Sequence, residues 1–244
     1  MMARSPDQPG PRGGSDGRID TGALMRIRSL ELRARVVVDG FLRGLHRSQH
    51  HGFSVEFSEY RQYSPGDDPR QLDWRVYARS DRHYVKRFED ETNLRCHLLL
   101  DNSRSMGWGS LPWTKADYAR TVAATLACFL ARQRDAVGLL TFDEGIVDHV
   151  PARWRPGHLH RLVLQLETPH GGTGTDLAAP LERVARLVTK RGLVVLVSDL
   201  LGAPQSIEGP LRALRAKGHE VILIRVLDPA EERFEFSSPS MFRD

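Results

Sequence analysis

The chain has 244 residues, a formal net charge of +4, 40% hydrophobic residues and 27% charged residues. This length is enough for one large domain or two small ones, and the apolar fraction excludes wholesale disorder. No run of residues approaches the roughly 18 apolar residues of a membrane-spanning helix, and residues 1–20 lack the apolar core of a signal peptide. We therefore expect a cytoplasmic protein. Cys96 and Cys128 are too few for a disulfide framework, and their apolar surroundings favour reduced core thiols.

The sequence pI of about 9.3 raises the question of nucleic-acid binding. Arginine supplies almost all of the positive charge and is interleaved with acidic residues, as in RSDRHYVKRFEDE at 79–91. A phosphate-binding surface usually carries a cluster of one sign. The mixed pattern is more typical of ion pairing within the protein, so we do not expect nucleic acid to be the main ligand.

The first 20 residues are rich in Pro, Gly, Ser and Asp, and we expect them to form a disordered tail. From Thr21 to Phe41, apolar residues recur every three or four positions, which predicts a helix that Gly40 and Gly44 terminate. The apolar positions of this predicted helix are Leu24, Ile27, Leu30, Ala34, Val37 and Phe41.

A charged and aromatic segment occupies residues 54–93. Pro65-Gly66 indicates a turn, and Asp68-Pro69 predicts the start of a short helix that continues to about Arg79. Residues 83–88 are expected to be extended. Because acidic and basic residues are nearly balanced, we interpret the segment as a brace that packs on the rest of the chain. A basic and aromatic ligand surface is the alternative interpretation.

From residue 94 onward, apolar runs with strand character alternate with helical patterns. One predicted strand ends at Leu100, and others cover 136–142, 145–150, 193–199 and 221–227. Helices are predicted from Tyr118 to Leu130, Leu159 to Leu166, Leu177 to Val188 and Ile207 to Leu214. This alternation predicts an α/β fold with a doubly wound, mostly parallel sheet. The tight turn Asp143-Glu144 adds one antiparallel edge strand.

These patterns divide the chain into four parts. Residues 1–20 form the expected tail, and residues 21–93 comprise the helix and the brace segment, which we expect to pack on the sheet. Residues 94–228 form the α/β domain, and residues 229–244 are expected to be a C-terminal tail.

Oxygen-bearing side chains follow the predicted strands at one edge of the sheet. Asp101, Ser103 and Ser105 follow the strand that ends at Leu100, Asp199 ends the strand 193–199, and the loop GGTGTD precedes the helix at Leu177. Ligands of doubly wound sheets bind at this edge, and Mg²⁺ prefers octahedral oxygen ligands at about 2.0–2.1 Å. The pattern predicts a Mg²⁺ site, with Mn²⁺ or Ca²⁺ as other candidate ions. The alternative is a set of turn-forming residues that hold no ion.

The spacing resembles the metal-ion-dependent adhesion site of von Willebrand factor A domains, in which Asp-x-Ser-x-Ser, a distant Thr and a later Asp surround one ion. Thr175 matches the family's threonine better than Thr173, because Leu181 follows it at the family's spacing. Leu200 stands where the family more commonly has Gly after its second Asp. The resemblance implies a von Willebrand factor A-like, Rossmann-like domain with the metal ligands Asp101, Ser103, Ser105, Thr175 and Asp199.

A second resemblance is carried by Phe57-x-x-Tyr-Arg-x-Tyr-x-Pro-Gly-Asp-Asp-x-Arg, followed by Asp73-Trp74-Arg75 and Ala78-Arg79. This pattern is similar to the signature of the family called domain of unknown function 58, in which it precedes a von Willebrand factor A-like domain that begins Asp-x-Ser-x-Ser-Met. The resemblance covers roughly residues 24–228. It implies a bacterial cytoplasmic protein without catalytic activity, which works with a MoxR-type AAA+ ATPase or with that ATPase's client.

We therefore expect a protein–protein interaction module whose Mg²⁺ binds an acidic residue of a partner. The alternative is a Mg²⁺-dependent phosphoryl-transfer enzyme with Asp101 as nucleophile. Such enzymes usually have a second acid two residues after the nucleophile, where this chain has Ser103. The sequence also offers no obvious lysine to hold the phosphoryl group. The spacing of the ten histidines gives little support for a zinc site.

Overall fold

The computed structural model describes residues 19–48, 60–62, 77, 79, 84–86, 94–168, 172, 174, 177–201 and 204–234. The predicted N-terminal tail, most of the brace segment, and both candidate threonines, Thr173 and Thr175, lie outside the described residues.

The structure contains two helices in the N-terminal region where the sequence predicted a single helix. Helix α1 covers Thr21–Met25 and helix α2 covers Leu30–Ser48. The prediction of a single helix was wrong because the chain is capped twice: Asp20 accepts backbone hydrogen bonds at the start of α1, and Ser29 Oγ accepts one from Leu32 N at the start of α2. Gly40 and Gly44 do not end α2, because an internal glycine costs only about 1 kcal/mol and packing of the helix exceeds that cost.

A short antiparallel pair precedes the main sheet. Strand β1, Tyr60–Gln62, pairs with β2, Tyr84–Lys86, which lies inside the stretch expected to be extended. Tyr77 and Arg79 are helical, in agreement with the short helix predicted up to Arg79.

The main sheet contains five strands within the described residues. They are β3 Arg95–Asp101, β4 Ala136–Phe142, β5 Ile146–Arg153, β6 Leu193–Ser198 and β7 Glu220–Arg225. Their order across the sheet is β5-β4-β3-β6-β7. Only the β4–β5 hairpin is antiparallel, and the other three pairs are parallel. The predicted mixed α/β sheet with one antiparallel edge strand is therefore confirmed.

Helices follow the strands along the chain. They are α3 Lys115–Arg132, α4 His158–Glu167, α5 Ala178–Leu187, α6 Pro204–Ala216 and α7 Pro229–Arg233, and a 3₁₀ helix covers Arg104–Gly107. Helix α3 begins three residues before the predicted start, because Thr114 and Asp117 form a capping box there. Helix α7 lies in the segment expected to be a tail, where Asp228 and Glu231 form a second capping box.

Apolar layers cover both faces of the sheet. Leu98 and Leu100 pack on one face with residues of α2, α3 and α4, whereas Leu99 packs on the other face with residues of α5 and α6. Strands buried on both faces read as continuous apolar runs, which is why β3, β4 and β6 were recognisable in the sequence. The two layers fix the strands that carry the polar residues described next.

Strand β3 lies at the centre of the sheet, between β4 on one side and β6 on the other. The chain moves to one side of β3 to form β4 and later returns to its other side to form β6. This reversal leaves a crevice at the carboxyl ends of β3 and β6, which is where ligands bind in open α/β sheets. Asp101 is the last residue of β3 and Asp199 directly follows β6, so both predicted aspartates lie at this crevice.

Candidate functional site

Asp101 forms the floor of the candidate site and is only 1% exposed. Its Oδ1 accepts a hydrogen bond of 2.8 Å from Ser103 N, and its Oδ2 accepts one of 2.6 Å from Ser198 Oγ. Burial raises the pKa of Asp101, and the nearby charge of Asp199 raises it further, although the bonds from Ser198 and Ser103 act in the opposite direction. Asp101 is thus a buried carboxyl group held in a fixed orientation by the turn that follows β3 and by the neighbouring strand β6.

The two predicted serines lie side by side. Ser103 precedes the 3₁₀ helix Arg104–Gly107, and this tight turn brings the Ser105 hydroxyl within 3.1 Å of the Ser103 hydroxyl. Neighbouring oxygen ligands of an octahedral Mg²⁺ lie about 2.9 Å apart when each bond is about 2.0–2.1 Å. The spacing of the two hydroxyls therefore fits adjacent ligands of one ion. Asn102, between Asp101 and Ser103, has a buried Oδ1 with no hydrogen-bond partner among the described residues.

Asp199 directly follows β6, which is the strand next to β3, and it is also buried. Its Oδ1 accepts a hydrogen bond from Leu201 N at 3.2 Å, and its Oδ2 accepts one from Lys115 Nζ at 2.9 Å. Leu200 between them adopts a left-handed φ of 55°, a conformation that is uncommon for residues other than glycine. The turn is closed by a 2.9 Å bond from Leu200 N to Ser198 Oγ. Leucine thus has a left-handed backbone conformation at the position where the resembling domains more commonly have glycine.

Two glycines bring a neighbouring loop against the Ser103 segment. A Cβ atom at Gly172 would lie 2.2 Å from the Asn102 carbonyl oxygen, so only glycine fits at this approach. Gly174 is fixed as well, because its carbonyl oxygen accepts a hydrogen bond of 3.2 Å from Arg104 N. Gly172 and Gly174 therefore lie beside Asn102 and Arg104. The prediction for Thr175 itself lies outside the described residues.

Lys115 is a site residue that sequence reasoning missed. Its side chain is 2% exposed, and its ammonium contacts Asp199 at 2.9 Å and Glu231 at 2.5 Å. It also lies 5.8 Å from the ring centroid of Trp108. A signal for Lys115 existed in the sequence: the capping box Thr114-x-x-Asp117 makes it the first residue of a helix, where a positive charge is unfavourable unless a carboxylate faces it.

The structure thus brings Asp101, Ser103 and Ser105 together at the end of β3, and Asp199 lies at the end of the adjacent strand β6. The described residues contain no group of three or more His, Cys, Asp or Glu that could hold a metal ion. A cation at this edge would consequently depend on hydroxyl ligands in addition to carboxylates. Such a donor set carries little negative charge, which fits a hard ion such as Mg²⁺ better than a thiophilic transition metal.

The sheet topology, with helices on both faces and oxygen-bearing residues at the switch point, defines a doubly wound α/β domain, which is the architecture that the resemblance to von Willebrand factor A domains implied. The model of the family described as "Protein of unknown function DUF58" matches residues 59–243, and the chain belongs to this family. None of the helices in the described part of the chain is both long enough and apolar enough to cross a membrane.

The relatives include uncharacterized proteins of mycobacteria. Rv1480 of Mycobacterium tuberculosis (strain ATCC 25618 / H37Rv) is 35% identical over 220 residues, which cover 88% of this chain and 68% of the relative. The uncharacterized protein MAV169 of Mycobacterium avium is 41% identical over 66 residues, which are 26% of this chain and 38% of the relative.

Two solved structures are similar in fold. An aerotolerance-related membrane protein from Bacteroides fragilis superposes with a TM-score of 0.47 and 16% identity, over 62% of this chain and 77% of that chain. BatB from Bacteroides thetaiotaomicron superposes with a TM-score of 0.45 and 16% identity, over 54% of this chain and 66% of that chain.

Proposed function

We propose that this protein is a non-catalytic interaction module that binds an acidic residue of a partner through a divalent cation, Mg²⁺ in the first instance. The ligands would be Asp101, Ser103, Ser105, Thr175 and Asp199. The proposed partner is a MoxR-type AAA+ ATPase or a client of that ATPase, acting in the bacterial cytoplasm. The observation that carries the proposal is the pair of hydroxyls of Ser103 and Ser105, 3.1 Å apart beside the buried Asp101.

The chemistry of the donor set supports this function. Serine and threonine hydroxyls are neutral ligands, so a divalent ion held by them keeps one positive charge when one carboxylate binds it directly and is formally neutral when two do. When bound, the ion would supply a Lewis-acidic position that a carboxylate from another protein can occupy. The residues of this chain would hold the ion, orient its open position and exclude water from the side that faces the sheet.

Exposed apolar side chains beside the proposed ligands support a role in binding another protein. Trp108 is 41% exposed and follows the 3₁₀ helix that contains Ser105. Leu201 is 55% exposed, and its backbone amide is hydrogen-bonded to Asp199. Aromatic and apolar groups around a polar anchor are typical of interface cores. The proposed partner segment therefore carries a carboxylate with apolar side chains next to it.

Mg²⁺ binding and partner binding test the proposal directly. We expect isothermal titration to detect one Mg²⁺ site in the wild type and none in Asp101→Ala. We also expect a pulldown from the native cytosol to recover the ATPase or its client in Mg²⁺ but not in EDTA. Glu208→Gln is the matched control, because Glu208 is an exposed acid paired with Arg212 on α6. Retention of the partner in EDTA and by Asp101→Ala would contradict the proposal.

One observation favours the phosphoryl-transfer alternative. Lys115 provides the buried lysine that the sequence did not reveal, next to Asp199. Against this reading, both carboxylate oxygens of Asp101 accept hydrogen bonds, which makes them weaker nucleophiles, and Ser103 stands where such enzymes usually have a second acid. Turnover of p-nitrophenyl phosphate that Asp101→Asn abolishes would establish the enzyme, whereas no turnover in Mg²⁺ leaves the interaction module as the function.

A further inference from the structure

Lys115 places a positive charge at the site, as a metal ion would. Its side chain is 2% exposed and its ammonium lies between two carboxylates, Asp199 Oδ2 at 2.9 Å and Glu231 Oε1 at 2.5 Å. An ammonium group buried to this extent is costly unless carboxylates compensate it, so the contacts hold Lys115 firmly in place. The oxygen of Asp199 that accepts from Lys115 is therefore already neutralised by a cation of the chain itself.

The same lysine connects the site to the C-terminal helix. Glu231 belongs to α7, and Asp228 at the start of that helix accepts a 2.8 Å hydrogen bond from Ser110 N. Ser110 and Lys115 both lie in the segment that leads from the Ser105 turn into α3. Helix α7 has no buried residues of its own, so polar contacts carry much of its attachment. Loss of the Lys115–Glu231 contact should thus loosen α7.

We propose that Lys115 is an internal competitor of the divalent cation, which neutralises Asp199 while α7 is docked and must release Asp199 when the ion binds. The inference rests on the proposed function, because it concerns the cation of that site. Two positive charges cannot share one buried carboxylate without strong repulsion. Ion binding should accordingly weaken the docking of α7, and docking of α7 should weaken ion binding by the same factor.

The affinity for Mg²⁺ alone tests this competition. Lys115→Met keeps the length of the side chain and removes its charge, and we expect it to bind Mg²⁺ about tenfold more tightly than the wild type. Lys217→Met is the matched control, because Lys217 is a partly buried lysine that donates to the Ala185 carbonyl oxygen, away from the site. It should leave the Mg²⁺ affinity unchanged.

The possible results separate this inference from the proposed function. If wild type and Lys115→Met bind Mg²⁺ equally, or if the variant binds more weakly, Lys115 is not a competitor but the ion site stands. If neither binds Mg²⁺, both proposals fall. If only the variant binds, competition by Lys115 is strong enough to exclude Mg²⁺ from the wild type, which supports the inference.

A second measurement needs no variant and remains decisive if Lys115→Met does not fold. Hydrogen exchange of the wild type is compared with and without Mg²⁺. A bound ligand ordinarily slows exchange throughout a protein, but release of Lys115 should speed exchange at 228–234 while the Ser103 segment becomes more protected. Slower or unchanged exchange at 228–234, with protection gained around Ser103, would overturn the inference.

Discussion

The hydroxyl of Ser198 donates a 2.6 Å hydrogen bond to Oδ2 of Asp101 and so ties the carboxyl end of β6 to that of β3. Ser198 is fully buried, and its oxygen also accepts a hydrogen bond from Leu200 N. One hydroxyl thus orients a carboxylate on the neighbouring strand and closes the turn that carries Asp199. The two halves of the candidate site are positioned by a single side chain that the sequence analysis assigned no role.

Removal of this hydroxyl should destabilise the protein. Ser198→Ala leaves Asp101 Oδ2 and Leu200 N without their shared partner, and we expect the free energy of unfolding to fall by about 1–3 kcal/mol. The variant should also raise the pKa of Asp101 further, because a hydrogen bond that favours the charged form is lost. Urea unfolding measures the first effect. Ser198→Thr keeps the hydroxyl and is the control; equal stability of Ser198→Ala and the wild type would contradict the assigned role.

Because Gly172 lies so close to the Ser103 segment, any side chain at residue 172 should destabilise the protein. A Cβ atom there would lie 2.2 Å from Asn102 O and 2.5 Å from the Ser103 carbonyl carbon, and backbone atoms cannot yield as a flexible side chain does. We expect Gly172→Ala to cost about 1–3 kcal/mol in unfolding free energy, typical of overpacking. Gly145→Ala is the control, since a Cβ at Gly145 would meet nothing within 4 Å. Thermal unfolding of the two variants measures this loss of stability, and equal stability of Gly172→Ala and Gly145→Ala would contradict the prediction.

Most of the sheet was predictable from sequence because its three inner strands are buried on both faces. Because these strands are buried on both faces, β3, β4 and β6 consist of nearly continuous apolar residues, which the sequence shows directly. The break between α1 and α2 was missed, since the apolar period runs through it and only the caps at Asp20 and Ser29 mark it. Periodicity reports which face is buried, whereas a helix end depends on single hydrogen bonds.

The candidate site was predictable only in part for a related reason. Asp101, Ser103 and Ser105 form a local motif, and Asp199 could be placed because parallel strands end at one edge. Lys115 and Glu231 are 116 residues apart in sequence, and no local pattern links them. Their contact depends on how α3 and α7 pack, which propensity and spacing do not encode. Resemblance to a known motif therefore found the proposed ligands but not the lysine that compensates one of them.

The buried His97 predicts how stability depends on pH. It lies on β3, is 7% exposed, and neither ring nitrogen has a hydrogen-bond partner among the described residues. Burial, together with the smaller effects of the charges of His219, Arg95 and His149, lowers its pKa from 6.5 to about 4. The folded state therefore keeps the imidazole neutral at pH values where the unfolded chain is protonated.

Stability should consequently fall as the pH drops from about 6.5 to about 4, by about 3 kcal/mol in total for this residue. Above pH 6.5 both states are neutral at His97 and the residue contributes no pH dependence. His97→Leu should flatten the fall in a series of urea unfolding curves. Leu164→Gln, at an exposed and non-titrating position on α4, is the control and should leave the slope unchanged. An identical slope in His97→Leu and the wild type would contradict this assignment.

Asp101→Asn separates the structural role of Asp101 from its proposed role toward the ion. Because the pKa of Asp101 is raised in the folded state, ionisation of this group costs stability at neutral pH, and the cost disappears as the pH falls below its ordinary value of 3.8. Asparagine has the same shape and no charge, and its Oδ1 can still accept from Ser103 N. We expect the variant to be at least as stable as the wild type at pH 7 in EDTA.

In Mg²⁺ the order should reverse. The wild type should gain stability in proportion to the logarithm of ion concentration above its dissociation constant, whereas Asp101→Asn should gain little, because a neutral amide oxygen replaces a charged ligand. Thermal unfolding in EDTA and in a Mg²⁺ series measures both effects on the same two proteins. A variant that is less stable in EDTA would show that the Asp101 carboxylate stabilises the ion-free fold, and an equal gain in Mg²⁺ would show that the ion does not bind there.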